Sequence, residues 1–148
     1  MRVIVQRVSK AQVEIDNEIT GKIDSGIMLL VGIAETDDEK TMNWMINKIT
    51  NLRIFPDEND VMNKSVKDIG GSLMVISNFT LYADSSKGFR PSYSKAARPE
   101  IAEVIFDKLV SKFKETGLAI AEGKFGAMMD IELVNSGPVT IFIEKENR

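Results

Sequence analysis

The chain has 148 residues, 43% of them hydrophobic and 28% charged, with a net charge of −3. That is the profile of one soluble globular domain over 1–148, large enough to bury a core without covalent staples. It contains no cysteine and no histidine, which excludes Ser-His-Asp and Cys-His catalysis, thiolate chemistry and nearly every zinc site built from nitrogen and sulfur ligands. An enzyme made from this chain works with hydroxyls, carboxylates, amines, backbone dipoles or a group on its substrate.

The opening alternates, with Val3 and Val5 and then Val13 and Ile15 at period two, as half-buried strands do. Asp16-Asn17-Glu18 predicts a turn, and Ile19 to Ile23 a returning strand. Ile27 to Ile33 is apolar on both faces, as a central covered strand is. Thr36 followed by Glu39 matches a capping box, and Met42, Met45, Ile46, Ile49 and Leu52 recur at helical spacing, so a helix is predicted from about Asp37 to Asn51.

Arg53-Ile54-Phe55 reads as a short strand and Pro56 to Asp60 as a loop. The Gly70-Gly71 pair releases a buried strand, Ser72 to Phe79, and Tyr82 to Lys95 has no clean period and reads as a loop. A second helix starts near Arg98-Pro99, with proline in the favoured first turn, and stops at Gly117. Two strands close the chain, Met128 to Val134 and Val139 to Glu144, joined by Asn135-Ser136-Gly137-Pro138. The order predicts two main helices covering one side of a mixed sheet packed on further strands.

The longest apolar run, Gly26 to Ala34, is nine residues, short of the ~20 that a membrane helix needs. Arg2 and Arg7 flank the first apolar residues, so the core of a secretory signal is missing, and the reading is a cytoplasmic protein.

Three segments could carry chemistry. Ser77-Asn78-Phe79-Thr80 ends a buried strand, where backbone N–H groups leave the sheet and can meet a ligand; the same residues are also ordinary turn formers. Asn135-Ser136-Gly137-Pro138 reads as a plain hairpin connection, or as something more directed. A Gly–Pro bond can be cis at a cost of only ~0.5–1 kcal/mol, which turns two successive carbonyls to one side. Ser85 to Pro99 holds Lys87, Arg90, Lys95 and Arg98 with Phe89 and Tyr93 and no acidic residue. It is either a solvated loop or a grip for phosphate and bases at a single-stranded RNA end. Met128-Met129 is most simply core, though methionine also lines adaptable pockets. The acidic run Asp57 to Asp60 lacks the ligand pattern of a calcium loop.

These segments, in this order and over the whole chain, resemble the D-aminoacyl-tRNA deacylase family. Met1-Arg2-Val3-Ile4-Val5-Gln6-Arg7-Val8 is similar to its opening strand, and Ser77-Asn78-Phe79-Thr80-Leu81 resembles its first signature motif. Lys87-Gly88-Phe89-Arg90-Pro91-Ser92 is similar to its basic loop, and Asn135-Ser136-Gly137-Pro138-Val139-Thr140 to its second motif. The family's first motif usually has glutamine where this chain has Asn78. The resemblance implies an α/β fold of mixed, barrel-like β-sheet layers with two main helices covering one side, in three layers α/β/β, and an enzyme that hydrolyses the ester joining a D-amino acid, or glycine, to the terminal ribose of tRNA. It implies a homodimer whose cis Gly137-Pro138 reaches across into the other subunit's pocket, with Arg7 as its buttress. Ser77, Phe79 and Thr80 would form the catalytic pocket, and Asn78, Lys87, Phe89, Arg90 and Met129 belong with Arg7, Gly137 and Pro138 as substrate-binding residues. The implied partner is the 3′ end of aminoacyl-tRNA, with neither DNA nor a membrane, and neither a metal nor an organic cofactor is implied.

With no imidazole to activate Ser or Thr, the expected mechanism is assisted by the substrate. The neighbouring ribose hydroxyl positions water, and backbone N–H groups near Phe79 and Thr80 receive the oxyanion's charge. Thr80 as a direct nucleophile is the rival. A non-catalytic RNA-binding module and an esterase of small acyl metabolites are the alternatives from other classes.

Overall fold

The computed structural model describes residues 1–147. The elements run β1 (Arg2–Ile15), β2 (Glu18–Ile23), β3 (Gly26–Gly32), α1 (Glu39–Asn51), β4 (Phe55–Pro56), β5 (Met62–Lys64), β6 (Ser72–Ser77), a 3₁₀ turn (Phe79–Tyr82), α2 (Pro99–Lys114), β7 (Ala119–Glu122) and β8 (Asp130–Glu144). The main sheet is mixed: β1 pairs antiparallel with β2, β3 and β8, while β3–β6 and β6–β7 are parallel. The β4–β5 pair stands apart as a small hairpin. The sheet curls until β2 approaches β7, where a Cβ placed on Gly21 would lie 3.1 Å from the Glu122 carbonyl oxygen. The result is an almost closed barrel.

Two cores follow from the period-two alternation of the strands. Ile27, Leu29 and Val31 of β3, with Leu73 and Val75 of β6, pack against Met42, Met45 and Ile49 of α1 and Phe106, Leu109 and Phe113 of α2. The intervening Met28, Met74 and Ile76 fill the barrel with Val8, Ala11, Val13 and Ile23, and no helix residue joins them. Both helices therefore cover one side of the sheet. In β1, Val3 and Val5 belong to the helix-side core but Ala11 and Val13 to the barrel core. A register shift between Val8 and Lys10 swaps the faces.

β8 makes the same swap, and here the structure corrects the expected hairpin. Residues 130–144 form a single strand, both halves of which pair with β1. Asn135 lies opposite Val8 and Thr140 opposite Gln6, so residues 136–139 bulge opposite Arg7 alone. Ile131 and Leu133 face the barrel, Val139, Ile141 and Ile143 the helix-side core.

Helix α1 starts later than its pattern suggests. Its N-cap is Asp38, whose side chain accepts from the Thr41 N–H at 2.9 Å, rather than Thr36. Asp37 is turned inward, where its carboxylate accepts from the Met1 nitrogen at 2.6 Å and the Ala34 N–H at 2.9 Å. That turn occupies the residues a capping box would use. α2 starts as expected, with Pro99 in its first turn. β5 and β7 add to the strands that the sequence pattern marks, and β6 ends at Ser77 instead of Phe79. Among the described residues no helix is long and apolar enough to cross a membrane.

Candidate active site

The end of β6 opens into a cavity of about 1150 Å³. Its floor is apolar, formed by Leu30, Ile76, Met129 and Ile131, and its rim carries Ser77, Asn78, Phe79 and Thr80. The Asn78 N–H still donates to the Val31 carbonyl at 2.8 Å, which ties the strand end to β3. Its side chain then turns the chain: Asn78 Oδ1 accepts from the Thr80 N–H at 3.2 Å and from Thr80 Oγ1. Of the two N–H groups expected to face an oxyanion, Thr80's is thus engaged. Phe79 occupies the first position of the turn, where an N–H has no acceptor within the helix. The Phe79 ring is exposed and meets Tyr93 edge-on, with centroids 5.0 Å apart.

The opposite wall comes from the end of the basic loop and from the segment that precedes β8. Tyr93 to Ala97 lie along it, and Phe125 to Met128 close another side. Met128 is almost fully exposed at the rim, which corrects its assignment to the core, whereas Met129 both lines the cavity and packs on the barrel core. At the mouth Arg98 Nε pairs with Glu35 Oε1 at 3.0 Å, an exposed contact worth little in stability. Among the described residues no group of three or more His, Cys, Asp or Glu gathers as metal ligands do.

The second motif lies elsewhere. The Gly137–Pro138 bond is cis, and Gly137 has φ of 116°. Arg7 Nε donates to the Ser136 carbonyl at 3.1 Å and Nη1 to the Ile54 carbonyl at 2.7 Å. Asn135 Nδ2 donates to the carbonyls of Arg7 and Val139, both at 3.0 Å, and Thr140 Oγ1 donates to Asn135 Oδ1. The bulge is therefore held from both sides. Arg7, Gly137 and Pro138 do not line the cavity of their own chain.

Lys87, Phe89 and Arg90 also sit outside that cavity, on a loop closed by reciprocal backbone bonds between Asp84 and Ser92 at 2.7 and 2.9 Å. Phe89 is fully exposed at the tip. One chain thus brings together Ser77, Asn78, Phe79, Thr80 and Met129, and leaves the other candidates outside.

With this geometry in hand, the likeness to known proteins is specific. Residues 4–144 match the family described as D-Tyr-tRNA(Tyr) deacylase. A protein of Limosilactobacillus reuteri named D-aminoacyl-tRNA deacylase is 50% identical over 145 residues, covering 98% of this chain and 100% of that one. One of the same name from Exiguobacterium sp. is 46% identical over 145 residues, covering 98% and 99%. Among solved structures, one titled c-Myc DNA unwinding element binding protein superposes with a TM-score of 0.93 at 37% identity, covering 99% and 100%. A probable eukaryotic D-amino acid tRNA deacylase, 13% identical with a TM-score of 0.79 over 96% and 97%, shares the fold.

Proposed function

The chain belongs to the D-Tyr-tRNA(Tyr) deacylase family, and from that premise we propose how it hydrolyses D-aminoacyl-tRNA with the residues just described. The observation that carries the reading is the apolar cavity that ends on Ser77 to Thr80. The terminal adenosine enters it with the aminoacyl ester beside Phe79 and Thr80. Water adds to the ester carbonyl, the charge that develops on the carbonyl oxygen falls to the Phe79 N–H, and the ribose oxygen leaves with a proton. The vicinal ribose hydroxyl positions that water.

Thr80 Oγ1 spends its proton on Asn78 Oδ1. An amide oxygen is not a base, so the hydroxyl serves as an acceptor toward the substrate rather than as a nucleophile. D-aminoacyl esters and the glycyl ester fit the same position.

A homodimer completes the site, with Gly137 and Pro138 reaching across from the second subunit. A row of side chains in register supports this: Ile76 and Leu30 at the cavity floor continue through Ile4 to Phe142. Phe142 is 55% exposed, and β8 has β1 as its only strand partner among the described residues. An apolar face that runs out of a binding cavity onto an open edge suits a second copy. The main-chain wall of Gly137 and Pro138 then tests the groups on the substrate's α-carbon and ignores the side chain, which separates D from L. Lys87 and Arg90 reach tRNA phosphate, Phe89 stacks on a base, and the reaction takes place in the cytoplasm.

The test is incubation with matched D- and L-tyrosyl-tRNA, with and without chelator. Release of D-tyrosine alone, unaffected by chelator, is expected. Binding without release would favour a non-catalytic module, and release from free amino-acid esters a small-molecule esterase.

A further inference from the structure

The molecule's single tryptophan, Trp44, takes no part in that reaction. It lies on α1 away from Met42 and Met45, which face the core, and 36% of it is exposed. It lines a second open cavity, of about 770 Å³, with Lys40 and the terminal segment Glu144 to Asn147. Lys48 Nζ and Lys145 Nζ each lie 5.4 Å from the ring centroid. Lys145 is fixed by its backbone, which bonds Met1 through both its N–H and its carbonyl. None of Lys40, Lys48 and Lys145 is in an ion pair with a described residue, and Glu144 on the wall pairs with Arg2. In a chain of net charge −3, an indole ring with two ammonium groups against it and a third lysine on the same cavity wall is a local concentration of positive charge, alongside the carboxylates of Glu144 and Glu146.

Its position matters as much as its charge. Glu35 and Thr36 line the first cavity, Lys40 and Thr41 the second, and Asn147 Nδ2 of the second donates to the Thr36 carbonyl at 3.0 Å. A single turn, residues 35–38, separates the two.

We propose that Trp44, Lys48 and Lys145 form a stacking and phosphate site for the single-stranded 3′ end of tRNA after it leaves the catalytic cavity over the turn 35–38. The inference rests on the proposed placement of the terminal adenosine in the first cavity. A base replaces the ammonium groups on the indole face, and the lysines, on flexible stems, swing to the flanking phosphates. Single-stranded RNA is held this way generally, by aromatic platforms within a cationic track.

Because Trp44 is the only tryptophan, its fluorescence reports on this site in the intact protein. Deacylated tRNA is expected to quench it, and adenosine monophosphate, which fills only the first cavity, to leave it unchanged. Trp44→Leu should raise KM for D-tyrosyl-tRNA by roughly fivefold to a hundredfold, the range of one lost stacking contact, with kcat within twofold, and Trp44→Phe should restore most of it. The double variant Lys48→Ala, Lys145→Ala should flatten the slope of log KM against log salt by up to about 2, one per phosphate contact. Saturating tRNA without quenching, equal quenching by adenosine monophosphate, or an unchanged salt slope would overturn the proposal while turnover of D-tyrosyl-tRNA stays intact. Loss of adenosine monophosphate binding to the first cavity would instead strike the reading beneath it.

Discussion

Asn78 holds Thr80 twice, its Oδ1 accepting from both the backbone N–H and the hydroxyl of the same residue. The side chain is thus the N-cap of the 3₁₀ turn that carries the cavity rim. Asn78→Ala removes the cap and should cost ~0.5–2 kcal/mol of stability, as loss of an N-cap does, and it leaves the Thr80 hydroxyl without its acceptor. Asn78→Gln keeps the amide but moves it by one methylene. Deacylation by the glutamine variant should change by less than about tenfold, or ~1.4 kcal/mol of barrier, and stay well above that of the alanine variant. Single-turnover rates on D-tyrosyl-tRNA measure both, and a larger loss in the glutamine variant would place the amide in contact with substrate.

Thr80 itself offers a sharper separation of mechanisms. A nucleophilic hydroxyl cannot be removed without ending turnover, whereas one that only accepts a hydrogen bond contributes about 10²-fold or less, ~2.7 kcal/mol. Thr80→Val should therefore retain measurable deacylation, and the unsubstituted protein should yield no acyl-enzyme on acid quench. A dead variant that still binds tRNA would restore Thr80 as the nucleophile.

The two strand–helix units, the buried β3 and β6 and the motif at the end of β6 were legible because each rests on local pattern. The helix-side core could be read from Met42, Met45, Ile49, Leu109 and Phe113 alone. What escaped depends on distant partners. Asn135 to Pro138 has every local mark of a turn, and only its pairing with β1 on both sides, Val8 with Asn135 and Gln6 with Thr140, makes it a bulge within one strand. The Thr36–Glu39 box lost to Asp38 because Asp37 is drawn to Met1, 36 residues away. Phe125 joined the cavity unannounced, and Tyr93, noticed only as an aromatic in the basic loop, became its lip.

The acid response of the fold follows from carboxylates that hydrogen bonds hold below their usual range: Asp38, Asp57, Glu58, Asp68 and Asp84. The Thr41 N–H holds the Asp38 carboxyl below the usual range, and Ser86 does the same for Asp84. A group whose folded pKa is depressed contributes stability above its unfolded value, ~3.9 for Asp, and loses it as the pH falls through the folded value. Asp37 runs the other way: burial raises its pKa, so its contribution is full at acid pH and declines as the pH rises through the raised value. Thermal melts should show Tm falling below about pH 4. Asp38→Asn, which can still cap, should shallow that fall, and an identical slope would remove Asp38 from the account.

The last prediction concerns Gly137 and Arg7. A Cβ on Gly137 would lie 2.7 Å from Arg7 Nη2 and 3.0 Å from Val139 Cγ2, at a backbone φ of 116° that L-residues avoid. The guanidinium cannot simply step aside, since Nε and Nη1 are committed to the carbonyls of Ser136 and Ile54. Gly137→Ala therefore has to bear an unfavourable backbone, about 1–3 kcal/mol, or displace Arg7 and release the Ser136 carbonyl. Arg7→Lys tests the same hold from the other side, because a single ammonium cannot reproduce the fork that reaches both carbonyls. Both variants should keep the fold, as read by circular dichroism, and both should narrow the ratio of D- to L-tyrosyl-tRNA hydrolysis, with Arg7→Lys the milder. Neither Gly137 nor Arg7 touches the cavity of its own chain, so this loss of selectivity requires the partner arrangement. In a mixture of Gly137→Ala subunits with Thr80→Val subunits, exchange should create one site per heterodimer with both motifs intact, and hydrolysis of L-tyrosyl-tRNA should fall below the average of the two parents. Mixtures that merely average the parents would show that each subunit works with its own bulge.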